Sequence, residues 1–191
     1  MTGFELVVHH RYTEGATDLS GQGNHGHRLP SRPDGGDADG FAFDGRHSRV
    51  VVFPAPSLQE LGGVRVRARV RVDQLGDRRT IVEGYLAFVL SVEPDGALAG
   101  GIYSGNQWHS LVSPPATIPL ERLIDVAFTF DGRDTASLSV DGVVVASRCA
   151  PLGRVGSIEW PFGLNVGAWP DQDLRVLDGR IAELWLWRTG P

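Results

Sequence analysis

The sequence predicts an all-β protein with antiparallel strands, and three observations support this prediction. Residues 126–147, VAFTFDGRDTASLSVDGVVVAS, form three runs of alternating apolar and polar side chains separated by Asp-Gly pairs. Asp141-Gly142 lies between two such runs, where the dipeptide favours the positive φ angles of a type I′ hairpin turn. Few segments show helical periodicity. The chain is therefore expected to reverse often and locally, at Asp141-Gly142 and also at Asp34-Gly35, Asp39-Gly40, Asp44-Gly45, Asp95-Gly96, Asp131-Gly132 and Asp178-Gly179.

Alternation and β-branched residues bounded by turn residues place the strands in chain order. They are Glu5–Tyr12, Phe41–Asp44, Arg49–Phe53, Val64–Val72, Arg79–Val82, Leu86–Glu93, Ala97–Tyr103, Trp108–Val112, Ile124–Phe130, Ala136–Val140, Val143–Ser147, Phe162–Val166 and Gly179–Trp187. Ser57–Leu61 and Pro119–Leu123 are each expected to form one short helical turn. The segment Leu29–Gly40 is rich in Pro, Gly and Asp, which predicts a loop rather than an interdomain linker.

Length and charge restrict the class of protein. A chain of 191 residues is long enough for one large β-sandwich with its own core, so residues 1–191 are expected to form a single domain. The formal net charge of −5 gives no general basic field, which argues against nucleic acid as a partner. Cys149 is the single cysteine, so the chain cannot form an internal disulfide bond.

No secretory signal and no apolar run of membrane-spanning length is visible in the sequence. We therefore expect no membrane insertion and a cytoplasmic location. An extracellular location would require another export route or membership of a larger protein.

Five segments taken in order resemble a known family. They are residues 18–26 (DLSGQGNHG), 40–45 (GFAFDG), 126–132 (VAFTFDG), 139–142 (SVDG) and 178–187 (DGRIAELWLW). Their order and spacing resemble the laminin-G-like, concanavalin A-like lectin/glucanase jelly-roll domains. The resemblance implies a two-sheet antiparallel jelly-roll sandwich whose usual work is recognition of carbohydrate or protein, often with a structural calcium ion.

The glycine-rich segment 18–26 carries the calcium prediction. Asp18 and Asn24 offer hard oxygen ligands of the kind that Ca²⁺ prefers. Alternatively, the two side chains satisfy backbone N–H groups in an Asx-type turn without any ion. Related domains often complete the site with an aspartate at the place of Ala182, so one carboxylate is missing here.

The strand Val64–Val72 alternates without a break. Its valines and Ala68 share one face, and its arginines share the other face, namely Arg65, Arg67, Arg69 and Arg71. Such a row of like charges requires carboxylates from neighbouring strands, such as Asp125, or an anionic ligand. The sequence leaves open an internally neutralised face and a docking face for an acidic sugar, a phosphate or an acidic protein.

Aromatic residues are the other recognition candidates, because Trp and Tyr rings can stack on sugars while their polar atoms form hydrogen bonds. Tyr103, Trp108 and His109 stand close together in sequence, and Trp169 lies in the loop GAWPDQD. Trp185 and Trp187 alternate with leucines, so one pair is expected to face inward and the other outward. A packing role remains the alternative for each tryptophan.

No catalytic motif is visible. Retaining glycoside hydrolases need two carboxylates about 5 Å apart, and the glutamates here are scattered. Only Arg69, His109 and Tyr103 remain as nominal residues for a polysaccharide lyase. We therefore expect a noncatalytic lectin-like module that binds carbohydrate on a sheet face or its loops. The alternative is an interaction domain, within a larger assembly or an oligomer, that docks protein on the arginine face.

Overall fold

The computed structural model describes residues 3–30, 38–170 and 174–190. The strands in chain order are β1 (Glu5–Arg11), β2 (Gly26–Leu29), β3 (Phe41–Asp44), β4 (Arg49–Val52), β5 (Val64–Val72), β6 (Arg79–Gly84), β7 (Phe88–Val92), β8 (Leu98–Ser104), β9 (Gln107–Val112), β10 (Ile124–Phe130), β11 (Thr135–Val140), β12 (Val143–Cys149), β13 (Leu164–Val166) and β14 (Asp178–Arg188). A short 3-10 turn covers Pro56–Leu58.

The strands form two antiparallel sheets that enclose one apolar core. Sheet A has the order β1-β14-β5-β10-β11-β12, and β3 also pairs with β14. Sheet B has the order β2-β4-β13-β6-β7-β8-β9. The predicted two-sheet antiparallel jelly-roll sandwich is therefore confirmed. Within the described ranges, no helix has the length and apolar character needed to cross a membrane.

The strand β5 confirms the predicted alternation. Its inward side chains are completely buried, namely Val64, Val66, Ala68, Val70 and Val72. Arg65, Arg67 and Arg69 lie on the opposite, exposed face. Alternate residues of an extended strand point to opposite faces, so the arginines cannot enter the core without moving the valines into water.

The two sheets approach closely where β8 faces β10. A Cβ atom built on Gly100 would lie 2.6 Å from Phe128 Cδ2, and Phe128 itself is buried. Only a residue without a side chain fits between the strand and this ring. Gly100 therefore sets the local spacing between the sheets.

The recurring Asp-Gly pairs use more than one conformation. Asp141 and Gly142 have φ angles of 48° and 80°, which matches the predicted type I′ turn between β11 and β12. Asp178-Gly179 is not a turn, because it begins β14. A side chain at Gly179 would collide with the Arg71 carbonyl oxygen, so that glycine permits a close approach of β5. Asp34-Gly35 lies outside the described residues, as does most of the predicted loop 29–40.

The strands predicted at Leu86–Glu93 and Phe162–Val166 begin two residues later, at Phe88 and Leu164, and three further local predictions differ from the structure. Residues 26–29 form strand β2, which pairs with β4, although no strand was predicted between Tyr12 and Phe41. Pro119–Leu123 is not a helical turn, because Leu120 forms a parallel bridge with Val72. The strand predicted at Arg79–Val82 continues to Gly84. In each segment, pairing with a neighbouring strand decides the conformation, and local residue preference does not reveal that pairing.

The loop between β1 and β2 is built around the buried Asp18 carboxylate. Oδ1 accepts the backbone N–H groups of His9 at 2.9 Å and Ser20 at 3.0 Å. Oδ2 accepts the Asn24 N–H at 2.9 Å and the Ser20 hydroxyl at 2.7 Å. Burial raises the pKa of Asp18, but these hydrogen bonds outweigh it and hold the pKa below its ordinary value.

We expect Gly100→Ala to destabilise the protein by about 1–3 kcal/mol, because the added methyl group forces Phe128 out of its place in the core. Gly156→Ala is the matched control, since no atom lies within 4 Å of a Cβ built there. Urea unfolding of both variants measures the difference. Equal stability of the two variants would contradict the close sheet contact.

We expect Asp18→Asn to lower the free energy of unfolding at neutral pH by roughly 2 kcal/mol, because a charged acceptor of four hydrogen bonds is lost. The depressed native pKa stabilises the fold above the ordinary aspartate pKa, and this contribution disappears as the pH falls. Below about pH 4, the free energy of unfolding should therefore change less with pH in the variant than in the wild type. The same pH dependence of the free energy of unfolding in both proteins would refute this role for Asp18.

Candidate functional site

The strand register of sheet B places one row of residues across its outer face. Residues directly opposite each other on paired strands share a face, and their sequence neighbours lie in the core. The row runs from β2 to β9 through His27, Val51, Asn165, Glu83, Val89, Gly101 and Ser110. Its β6–β9 half forms the floor of a cleft.

The cleft has a volume of about 390 Å³. Sheet residues form its floor, and two tryptophans and two arginines stand among the residues around it. The lining residues are Arg78, Glu83, Tyr85, Leu86, Val89, Trp108, Ser110, Trp169 and Arg175. Apolar rings beside a few polar groups are typical of small-ligand sites.

Glu83 is the unusual residue of the cleft. It is only 4% exposed, and the described part of the chain gives its carboxylate no hydrogen-bond or ion-pair partner. Burial raises the pKa of Glu83 to about 7, while the Arg175 and Arg78 guanidinium groups act in the opposite direction. A buried, unpartnered carboxyl group in a cleft is a candidate for contact with a ligand.

Glu83 was not among the predicted site residues. The predicted strand ended at Val82, so the sequence did not show that Glu83 belongs to β6 and points outward. The available signal was a single acidic residue in the otherwise uncharged run Thr80–Gly84.

Trp169 reaches the cleft from the loop between β13 and β14. The Arg175 guanidinium lies 3.9 Å from the centroid of its ring, which is a cation–π contact. The indole Nε1 is buried and has no hydrogen-bond partner among the described residues. The arginine holds the ring in place and leaves one donor unused.

Trp108 stands on β9, at the edge of sheet B, and is 40% exposed. The Tyr103 ring meets it edge-on, with centroids 5.6 Å apart and an interplanar angle of 65°. Tyr103 therefore supports Trp108 and does not line the cleft. His109 points the other way, because it pairs with the buried Ile102, and its Nε2 lies 3.3 Å from the Ser104 carbonyl oxygen.

The structure therefore brings together only part of the predicted aromatic group. Trp108 and Trp169 both line the cleft, although they belong to distant parts of the chain. Tyr103 is adjacent to the cleft, and His109 is not part of it.

The arginine face of β5 is partly neutralised by its own neighbours. Arg67 Nη2 lies 2.9 Å from Asp125 Oδ1, and its guanidinium lies 4.7 Å from the Trp185 ring centroid. Arg71 Nε lies 2.7 Å from Asp73 Oδ1. Both cations therefore have carboxylate partners within sheet A or the loop that follows β5.

The other two arginines of β5, Arg65 and Arg69, have no carboxylate partner among the described residues. The Arg65 guanidinium lies 4.7 Å from the ring centroid of Phe4. Arg69 is exposed and stands between Asp125 and Glu183 in the register. In the regions that the structure describes, it makes no hydrogen bond or ion pair. Of the four arginines, Arg69 is therefore the one without a hydrogen bond, ion pair or ring contact among the described residues.

The predicted calcium ligands, Asp18 and Asn24, are largely engaged in hydrogen bonds within the chain. The chain's own donors already occupy both Asp18 oxygens, and the Asn24 side-chain NH₂ donates to Val7 O at 2.7 Å and to Ser57 Oγ at 2.8 Å. Across residues 3–30, 38–170 and 174–190, no group of three or more His, Cys, Asp or Glu side chains could hold a metal ion. These contacts match the hydrogen-bonded turn. Calcium binding at this segment stays a prediction, for which the buried Asn24 Oδ1, without a hydrogen-bond partner among the described residues, is an available ligand atom.

Solved structures share the fold of the chain. Domain 4 of AbnA, a GH43 extracellular arabinanase from Geobacillus stearothermophilus solved with arabinotriose, has a TM-score of 0.70 at 18% identity, over 98% of this chain and 94% of that one. The CBM40 of a Ruminococcus gnavus sialidase, bound to α2,3-sialyllactose, has a TM-score of 0.55 at 12% identity, over 75% and 90%. The botulinum neurotoxin serotype D ligand-binding domain, in complex with N-acetylneuraminic acid, has a TM-score of 0.67 at 12% identity, over 96% and 47%.

A comparison with curated protein sequences finds no match. A family model of the laminin G type, described as the concanavalin A-like lectin/glucanases superfamily, matches residues 44–189. That range covers most of both sheets and all of the residues that line the cleft. The chain therefore belongs to the concanavalin A-like lectin/glucanases superfamily.

Proposed function

We propose that this chain is a noncatalytic carbohydrate-binding module whose ligand occupies the cleft on the outer face of sheet B. The observation that carries the proposal is the unpartnered Glu83 carboxyl group, which shares a cleft with the rings of Trp108 and Trp169. A sugar offers the complementary chemistry, with apolar C–H faces for the rings and hydroxyl groups for the carboxyl.

Each polar group in the cleft has a role in this proposal. The Glu83 carboxyl accepts a hydrogen bond from a sugar hydroxyl when it is ionised, and it can also donate one when it is protonated. The Trp169 Nε1 donor, which has no partner in the described residues, gains an acceptor from the ligand. Arg78 already pairs with Glu93, at 2.8 Å between Nε and Oε1, so it lines the cleft as a fixed donor group.

The similar structures favour the same class of ligand. The arabinanase domain was solved with arabinotriose, the sialidase module with sialyllactose and the toxin domain with N-acetylneuraminic acid. These ligands are carbohydrates on proteins of similar fold. The likeness supports carbohydrate as the ligand class and leaves the particular sugar to experiment.

The composition of the cleft favours binding without cleavage. Glycoside hydrolases of the common types use two carboxyl groups on opposite sides of the scissile bond. Glu83 is the single carboxylate among the described residues that line the cleft. An acidic protein partner on the arginine face stays a prediction, for which the exposed Arg69 is the main support.

We expect Trp108→Ala and Trp169→Ala each to weaken sugar binding by about tenfold or more, because each variant removes one stacking surface. A glycan array that includes arabino-oligosaccharides identifies the ligand, and isothermal titration calorimetry measures the affinity. Trp187→Ala is the matched control, because this partly exposed tryptophan lies on sheet A. Wild-type affinity in both cleft variants would refute the cleft as the site.

We expect Glu83→Gln to change how stability depends on pH. A raised native pKa means that the folded state holds its proton between about pH 4.5 and 7 while the unfolded state loses it. The wild type should therefore lose on the order of 3 kcal/mol relative to the variant as the pH rises through this window. Urea unfolding at several pH values measures the difference. A constant difference would show that Glu83 is not held in its protonated form.

A further inference from the structure

The outer face of sheet B carries a second aromatic surface beside the cleft. The Phe53 and Trp160 rings are stacked, with centroids 5.4 Å apart and an interplanar angle of 18°. His27 lies against Phe53 at 4.7 Å. Phe53 is 46% exposed and Trp160 is 67% exposed. We call His27, Phe53 and Trp160 the aromatic shelf, and an exposed shelf of this kind indicates a recognition surface.

The aromatic shelf adjoins the cleft through a second hollow. This hollow has a volume of about 330 Å³ and is lined by Tyr85, Leu86, Ser157, Glu159, Trp160 and Phe162. Tyr85 and Leu86 also line the cleft, so the turn between β6 and β7 forms a shared boundary. Leu86 is 42% exposed and has a φ of 53°, which places its side chain at the surface of that turn.

The chemistry of the second hollow also matches a sugar. Its rings supply stacking surfaces, and the Tyr85 and Phe162 rings lie 4.3 Å apart in its wall. Glu159 and Ser157 supply oxygen atoms for hydroxyl groups. The described lining contains a carboxylate and no cation, so the hollow favours a neutral ligand over an acidic one.

We infer that the ligand is a neutral oligosaccharide chain that runs from the cleft, over Leu86, to the aromatic shelf. This inference rests on the proposed carbohydrate-binding function and deepens it. The strand β9, which carries Trp108, lies five strand spacings of about 4.8 Å from β4, which leads into Phe53, so a single sugar unit cannot reach from Trp108 to the shelf. The module therefore recognises several consecutive units of a chain rather than one terminal unit.

Calorimetric titration with linear neutral oligosaccharides, from disaccharide to hexasaccharide, tests the inference. Arabino-, xylo- and gluco-oligosaccharides are the probes. We expect the wild-type affinity to rise with chain length, and we expect Trp160→Ala to remove the final rise of about five- to tenfold. Trp108→Ala should lower the affinity at every length. Trp160 is largely exposed, so its loss should leave the fold intact, and Trp187→Ala is again the control.

The outcomes separate the two proposals. If Trp160→Ala binds every length as the wild type does while Trp108→Ala binds none, the extended site is refuted and the cleft is retained. If Trp160→Ala instead abolishes self-association in analytical ultracentrifugation and leaves the length dependence unchanged, the shelf is an interface between copies. If the wild type binds none of these neutral oligosaccharides but binds another glycan on the array, the inference is refuted and the proposed function is retained. If it binds no glycan at all, both proposals are wrong.

Discussion

The register of sheet B is the constraint on which the candidate site depends. Alternate side chains of each strand point into the core. The pairing of a strand with both of its neighbours determines which of its residues these are. Val82 and Gly84 lie on the inner side of β6, so Glu83 must lie on the outer side. A register shift of one residue would bury a carboxylate between the sheets and expose valines. The site is therefore maintained by the same packing that maintains the fold.

Charged side chains on the outer faces of the two sheets differ in whether they have a partner of opposite charge. On sheet A, Arg67 and Arg71 have nearby carboxylates, and the Trp185 ring lies beneath one of the cations. On sheet B, the Glu83 carboxyl is buried without such a partner. Ion pairs at an exposed surface contribute little to stability, whereas a buried polar group without a partner is costly. In the cleft, the buried Trp169 Nε1 is such a group, and a ligand could supply the acceptor that it lacks.

The sequence predicts most of the scaffold but only the two tryptophans of the cleft, Trp108 and Trp169. Alternation identified β5 with its correct faces, and Asp141-Gly142 identified the hairpin. Trp108 and Trp169 were chosen for their chemistry, but local patterns carry no information on the distance between them. Glu83 and β2 were missed because strand pairing extends β6 and recruits residues 26–29. Burial of a lone carboxyl group is a property of the tertiary structure and cannot be inferred from its sequence neighbours.

The walls and the floor of the cleft come from different kinds of structure. The floor belongs to paired strands, whereas Trp169 and Arg175 belong to the connection between β13 and β14. A change near Trp169 would alter one wall, whereas the end of the connection is tied to the framework, because the Arg175 carbonyl accepts the Thr80 N–H of β6 at 2.8 Å and Leu177 is buried. Ligand preference can therefore diverge, in nature or by design, through changes near Trp169 in this surface loop on an unchanged framework.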